Sequence, residues 1–206
     1  MDFLLLLFAL GLRGVQGGEA VALNNTAVAL AERGEAVRAL PVLRRAFYLA
    51  PESIEVAGNL ANVQLRAGDV GDAAGVIAWI FTRLDERPDY RVWAHAARAE
   101  LRLIRRDAAG ALADANLAVE FAGPLNDFSR AAMWNLRGRA ALAGLRWEDA
   151  ARDFRVAAEL YPEPSVRLAG YLENLAVALR HVKGKGREAS RMKRRARAMY
   201  RRFATN

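Results

Sequence analysis

Small residues recur in this chain at a fixed spacing, and this period constrains the fold more than any other feature. One column contains Ala39, Ala73, Ala111, Ala150 and Ala189, which are separated by 34, 38, 39 and 39 residues. A column seven residues later contains Ala46, Ile80, Ala118, Ala157 and Ala196, and one twelve residues earlier contains Ala27, Ala61, Ala99, Gly138 and Val177. A period of this length is typical of stacked repeats, in which each unit buries the face of its neighbour.

The repeated unit reads as a pair of helices. Apolar residues between the columns fall at helical spacing, as Leu40 and Leu43 do, and small column residues let two helices approach closely. Turns are predicted at Gly34, Gly68 and Gly144, because glycine tolerates the left-handed backbone that ends many helices. No run of alternating β-branched residues predicts a strand. We therefore expect an all-α chain, an α-solenoid of four to five helix pairs with about ten helices.

Two of the five repeats, which are numbered along the chain as rows one to five, carry a family resemblance. Row four contains Trp134, Gly138, Ala150, Phe154, Ala157 and Pro162, and row one contains Leu30, Gly34, Ala39, Leu43, Ala46 and Pro51. These residues resemble the tetratricopeptide repeat, a helix-turn-helix unit, over roughly residues 20 to 203. Row three departs from the pattern, because Arg106 stands in the place of the turn glycine. The resemblance implies four repeats over residues 20–163 and a divergent fifth pair over residues 164–206, which ends in a basic capping helix.

Residues 1–19 form an apolar N-terminal segment with two interpretations. Residues 3–12 are too few to span a membrane but have the length of a signal-peptide core, with small residues at 15–17 or 18–20 for cleavage. Asp2, and the absence of Lys or Arg before the core, instead favour an uncleaved helix that packs on the first repeat, holds a partner or anchors the protein. The first interpretation favours a secreted, periplasmic or membrane-associated protein over a cytoplasmic one.

Positive charge is concentrated at the C-terminus. Residues 183–206 contain ten Lys or Arg and one Glu, a net charge of +9, whereas the whole chain carries +8. On a helical wheel the apolar stripe includes Met192, Ala196, Met199 and Phe203, and the opposite basic face consists of Arg187, Arg191, Arg194, Arg195, Arg201 and Arg202. The apolar stripe predicts a terminal cap, and the basic face predicts docking to an anionic membrane or an acidic partner. Nucleic acid is the less favoured partner, because the aromatic residues Tyr200 and Phe203 lie on the apolar stripe.

The second candidate site follows from the resemblance. In proteins of this kind the first helix of each pair lines a concave groove that binds peptides or helices. The side chains that would line it here are Asn24, Asn59, Asn62, Glu100, Asn135, Arg139 and Asn174. An asparagine amide both donates and accepts, so it can hold a peptide backbone; alternatively, these amides bond within the stack. The related clamp for a C-terminal carboxylate is not expected, because its cationic positions hold other residue types.

Neither catalysis nor a cofactor is predicted. The two histidines, His95 and His181, are far apart in the sequence, and no nucleophile, base and orienting group converge. The chain has no cysteine, so it offers no disulfide and no thiolate metal site, and no other metal cluster is visible. We therefore expect a non-catalytic scaffold or adaptor that binds a peptide or protein in the groove. The alternative is a membrane- or nucleic-acid-associated factor that docks through the basic C-terminal helix.

Overall fold

Helices make up most of the structure. The computed structural model describes residues 18–161 and 163–203. Within these ranges the helices are α1 (Gly18–Glu32), α2 (Ala36–Leu49), α3 (Ile54–Ala67), α4 (Val70–Phe81), α5 (Arg91–Ile104), α6 (Ala108–Phe121), α7 (Asp127–Ala143), α8 (Trp147–Leu160), α9 (Val166–Leu179) and α10 (Gly186–Phe203), with a 3-10 turn at Pro88–Tyr90. The described residues contain no strand, so the predictions of an all-α fold and of about ten helices are confirmed.

The helices form two compact units, one up to Leu101 and one from Arg102 onwards. In the first unit, α2 packs against α1 and α3, and α3 also packs against α4. In the second unit, consecutive helices pack from α6 through to α10, and α7 also contacts α9. The proposed signal or anchor lies largely outside the described residues. The division of the chain into an N-terminal segment, four repeats and a divergent fifth pair, with boundaries at residues 19 and 163, stays a prediction.

The small-residue columns form the contact surfaces between helices. Ala39, Ala73, Ala111 and Ala150 are completely inaccessible to solvent, and Ala189 is nearly so. The column seven residues later is equally enclosed in all five rows. Each small side chain therefore lies where two helices approach closely, and a larger side chain there would overpack the contact.

The residue in the earliest small-residue column and the large residue that packs against it vary in size together from row to row. In row one Ala27 and Leu43 are both fully buried, whereas in row four the corresponding residues are Gly138 and Phe154. A Cβ atom added to Gly138 would lie 2.7 Å from Cε1 of Phe154. The glycine thus makes room on α7 for a ring that is larger than the leucine of row one.

The turns between paired helices share one backbone geometry. A left-handed residue precedes the Ala39 column by five positions in every row: Gly34, Gly68, Arg106, Leu145 and Gly184. In the first four rows the next residue donates its N–H to the carbonyl five positions earlier, as Arg146 does to Ala141 at 2.9 Å. This is the bond that closes a Schellman turn. The prediction of a left-handed Gly144 was therefore wrong by one residue, because Gly144 has φ of −86° and Leu145 has φ of 60°.

Candidate functional site

Asparagine amides join the first helices of consecutive pairs. In the first unit, Nδ2 of Asn59 on α3 donates to Oδ1 of Asn24 on α1 at 3.0 Å. In the second unit, Nδ2 of Asn174 on α9 donates to Oδ1 of Asn135 on α7 at 3.1 Å. Asn24, Asn59 and Asn135 are buried, and Asn174 is half-buried. These bonds satisfy amides that would otherwise be costly to bury, so the recurring asparagines hold the stack together.

Three other predicted groove residues have partners of their own. Asn62 and Glu100 are buried and Arg139 is half-buried, and each interacts with another group of the protein. Contact between the predicted groove set and a ligand stays a prediction. The half-buried Arg139 and Asn174 leave more surface for such contact than the enclosed members do.

Buried carboxylates of the second unit are held by arginines. Asp153 on α8 receives two hydrogen bonds from Arg137 on α7, at 2.8 Å from Nε and 2.7 Å from Nη2. Asp114 on α6 pairs with Nη1 of Arg102 at 2.7 Å. Both aspartates lie three residues after a small-column alanine, so they belong to the repeat. Paired in this way, the two carboxylates brace adjacent helices.

A cation of the first unit has an unused donor. Nη1 of Arg66, at the end of α3, is buried and has no hydrogen-bond partner among the described residues. Burial lowers the pKa of Arg66 from its ordinary value. On the same helix the buried carboxylate of Glu55 accepts a hydrogen bond from the Tyr90 hydroxyl, and burial raises the pKa of Tyr90. This donor of Arg66 is therefore left unsatisfied inside the first unit.

An aromatic patch lies at the start of α7 and α9, and the sequence period did not indicate it. The ring of Phe128 is 41% exposed and meets Tyr161 edge-on, with 5.5 Å between ring centroids. The guanidinium carbon of Arg167 lies 4.5 Å from the Phe128 ring centroid. We call these three residues the aromatic patch. Exposed aromatic side chains stacked with arginine are the groups that carry most of the binding energy in many protein interfaces.

The aromatic patch continues into the predicted groove residues. On α7, Phe128, Ala132, Asn135 and Arg139 follow the spacing i, i+4, i+7 and i+11, and so share one helix face. On α9, Arg167, Tyr171 and Asn174 follow the same spacing. Because α7 contacts α9 and the Asn135–Asn174 bond joins them, these two rows of side chains are neighbours. Ala132, Asn135 and Tyr171 are buried, so the members that a partner can reach are Phe128, Arg167, Arg139 and Asn174. We call this set of side chains the α7/α9 stripe.

The two histidines pack against aromatic rings. His95 meets Phe81 edge-on, with 5.2 Å between centroids, and His181 stacks on Trp147 at 4.1 Å. Within residues 18–161 and 163–203, no group of three or more His, Cys, Asp or Glu side chains is placed to hold a metal ion. Each histidine therefore contributes to packing in its own unit.

Helix α10 has the two faces that the helical wheel predicts. Ala189 and Ala196 are buried, and Met192, Met199 and Phe203 are half-buried, on the face that packs against α9 and α8. All six residues of the basic face, from Arg187 to Arg202, are exposed. None of the helices in the described part of the chain has the length and apolar character needed to cross a lipid bilayer.

Two ion pairs of Glu188 anchor the start of α10. Glu188 accepts a hydrogen bond from Nη2 of Arg155 on α8 at 2.8 Å and pairs with Lys185 at 3.2 Å. The bond from Arg155 lowers the pKa of Glu188 from its ordinary value. The negative charge of Glu188 is thus already paired with positive charges of the protein.

Comparison with known proteins supports the fold. No protein-family model and no curated protein sequence matches the chain. Among solved structures, MamA 41-end from Desulfovibrio magneticus RS-1 is 19% identical, with a TM-score of 0.61 over 91% of this chain and 98% of that one. The putative kinesin light chain with TPR-like repeats from Podosopora anserina is 15% identical, with a TM-score of 0.66 over 90% of this chain and 96% of that one.

These similarities establish the fold. The chain has the fold of a tetratricopeptide-type helical repeat protein, an α-solenoid built from helix pairs. The resemblance that the sequence carries in rows one and four is therefore confirmed. At these levels of identity the similarity concerns the fold.

Proposed function

We propose that this protein is a non-catalytic scaffold that binds a peptide or protein segment along the α7/α9 stripe. The aromatic patch is the observation that carries the proposal. Its Phe128 ring is exposed and held in place by Tyr161 and Arg167, so it offers apolar area that a partner can cover without first ordering the side chain. Arg139 and Asn174, further along the stripe, add polar groups that suit a peptide backbone.

The partner we expect is an extended or helical segment with an apolar or aromatic anchor. The anchor would cover Phe128, and backbone or acidic groups of the segment would reach Arg167 and Arg139. Because repeat proteins present a continuous surface of adjacent helices, such a segment can contact two repeats at once.

A peptide selection tests this proposal. Peptides from a displayed random library would be enriched on the full chain, and their affinities measured by fluorescence polarisation for wild type and for Phe128→Ala. Truncation of a central aromatic contact typically costs more than about 1 kcal/mol, so we expect affinity to fall at least about fivefold. Circular dichroism of the variant establishes that it remains folded.

Tyr48→Ala is the matched control. Tyr48 lies on α2 in the first unit, is 74% exposed and also has an arginine, Arg45, near its ring. Tyr48 therefore combines an exposed aromatic ring with a nearby arginine, as Phe128 does, but lies outside the α7/α9 stripe. Peptides whose affinity falls equally in both variants, or a library that yields no binder, would reject the proposed site.

A further inference from the structure

The basic face of α10 has cations that the protein itself does not use. Among the described residues, Arg187, Arg191, Arg194, Arg195 and Arg201 take part in no ion pair, and all are exposed. The acidic residue of this helix, Glu188, is already paired with Arg155 and Lys185. A surface helix of an ordinary repeat mixes both signs of charge, whereas this face presents one.

A purely structural role does not account for this face. Packing of α10 requires the apolar side chains, and neutral polar residues would keep the opposite face hydrated equally well. Arginines spaced four apart, such as Arg187, Arg191 and Arg195, instead repel one another and weaken the helix. The repulsion disappears when an anionic surface supplies the counter-charge, so the face is suited to an external anion.

The arginines form a straight and regular array. Arg187, Arg194 and Arg201 are seven residues apart, which on an α-helix places them about 10.5 Å apart along one line. Arg191, Arg195 and Arg202 run beside this line, and the whole face extends over about 22 Å. An array of this length and regularity fits an extended surface with many anionic groups better than a single small ligand.

The charge of the chain is also unevenly distributed. Residues 183–206 have a net charge of +9, and the whole chain has a net charge of +8. The remaining 182 residues therefore have a net charge of about −1 and are close to neutral. An anionic surface therefore attracts the protein through α10 and orients it with this helix towards the surface. The α7/α9 stripe is not needed for that attachment.

We infer that the basic face of α10 docks this protein peripherally on an anionic phospholipid bilayer. Clusters of four to eight basic residues on an amphipathic helix are typical of binding to acidic lipids. Nucleic acid fits less well, because the aromatic residues of α10, Tyr200 and Phe203, are half-buried and none stands among the arginines to stack on a base. The sequence of residues 3–12 adds an apolar segment, and stable peripheral attachment generally takes two such signals.

The mode of docking follows from the packing of α10. Ala189 and Ala196 are enclosed against the preceding helices, so the apolar stripe is not available to lipid while α10 stays in place. Contact is therefore electrostatic, between guanidinium groups and lipid phosphates or carboxylates, and it weakens steeply as salt screens the charges.

Vesicle co-sedimentation of the full chain tests the inference. Vesicles of phosphatidylcholine alone are compared with vesicles that contain about one third phosphatidylserine, at roughly 0.05 M and 0.5 M salt. We expect binding only to the anionic vesicles and mainly at low salt. Because each basic residue near an anionic leaflet contributes about fivefold to partitioning, the triple variant Arg187→Gln, Arg194→Gln, Arg201→Gln should bind on the order of 100-fold more weakly.

Two further variants separate docking from general charge effects. The control triple Arg33→Gln, Arg38→Gln, Arg105→Gln removes the same charge from exposed arginines outside α10 and should bind within a few-fold of wild type. Lysine at the three α10 positions should also preserve binding, because charge and not guanidinium geometry drives it.

The inference is overturned by any of four results. Wild type could partition equally into neutral and anionic vesicles, or the control triple could lose as much binding as the α10 triple. The lysine variant could fail to bind although circular dichroism shows it folded. Finally, an oligonucleotide or polyglutamate that binds α10 more tightly than the vesicles, at equal concentration of anionic groups, would identify a different occupant.

Discussion

Gly138→Ala tests the size-matched contact between α7 and α8. The added Cβ atom would lie 2.7 Å from Cε1 and 2.8 Å from Cδ1 of Phe154, closer than carbon atoms approach in real structures. The Phe154 ring is completely buried, so it has no solvent to move into. Overpacking of this kind costs about 1–3 kcal/mol, whereas alanine improves helix propensity by about 1 kcal/mol. We place the net loss near the upper end, at about 1–2 kcal/mol, because two ring atoms clash at once.

Thermal unfolding followed by circular dichroism at the helix band measures this change. For a protein of this size a loss of about 1–2 kcal/mol should lower the midpoint by roughly 3–6 °C. The control is Gly75→Ala on α4, where nothing lies within 4 Å of the added Cβ, so that variant should be up to about 1 kcal/mol more stable. If Gly138→Ala also raises the midpoint, the proposed contact with Phe154 is refuted.

Phe154→Leu in the same background makes the test stricter. Gly138→Ala combined with Phe154→Leu would reproduce the row-one pair of Ala27 and Leu43, which are both fully buried. The double variant should therefore be more stable than the sum of the single changes predicts, by about 1 kcal/mol. Strict additivity would mean that the two positions are not in contact.

Three further changes test other contacts, each by the shift in unfolding midpoint. Leu145→Gly should stabilise the protein by about 1 kcal/mol, because a left-handed leucine is strained and this one is 66% exposed; no gain would contradict the turn geometry. Asp153→Asn should destabilise by about 2 kcal/mol, since Arg137 loses its charged acceptor, and an unchanged midpoint would argue against that pair. Glu188→Gln should cost roughly 0.5 kcal/mol at neutral pH. Because the pKa of Glu188 is lowered in the fold, that gap should close as the pH falls below about 4.5, and a pH-independent gap would exclude the Arg155 bond.

The candidate site illustrates a limit of sequence reasoning. The recurrence of Asn24, Asn135 and Asn174 in one column is visible in the sequence, and the resemblance points these amides towards a groove. Whether an amide faces a partner or a neighbouring amide depends on the lateral spacing of helices, which the period does not specify. The structure brings Asn59 and Asn24, 35 residues apart, within hydrogen-bonding distance.

The aromatic patch could not be read from the period at all. Phe128 and Arg167 lie in the first turns of α7 and α9, and Tyr161 follows α8, so none occupies a small-residue column. Their contact arises because the ends of these helices come together in the second unit, where Tyr161 and Arg167 both reach the Phe128 ring. A search for aromatic residues at helix ends would have identified Phe128 and Tyr161, but neither their contact nor the part played by Arg167.

The helix pairs and their period can be read from the amino-acid order, because close packing of helices permits only small side chains at the crossing points. Those positions recur as Ala39, Ala73, Ala111 and Ala150. The backbone of the turns and the exposure of the polar side chains depend instead on how the helices pack in three dimensions. In a sequence, glycine is the residue that predicts a left-handed backbone. Arg106 and Leu145 nevertheless adopt this backbone, because each helix pair must turn at the same place for the small-residue columns to meet. Packing also determines which polar side chains are buried and hydrogen-bonded between helices, and which, such as the arginines of α10, remain exposed for a partner.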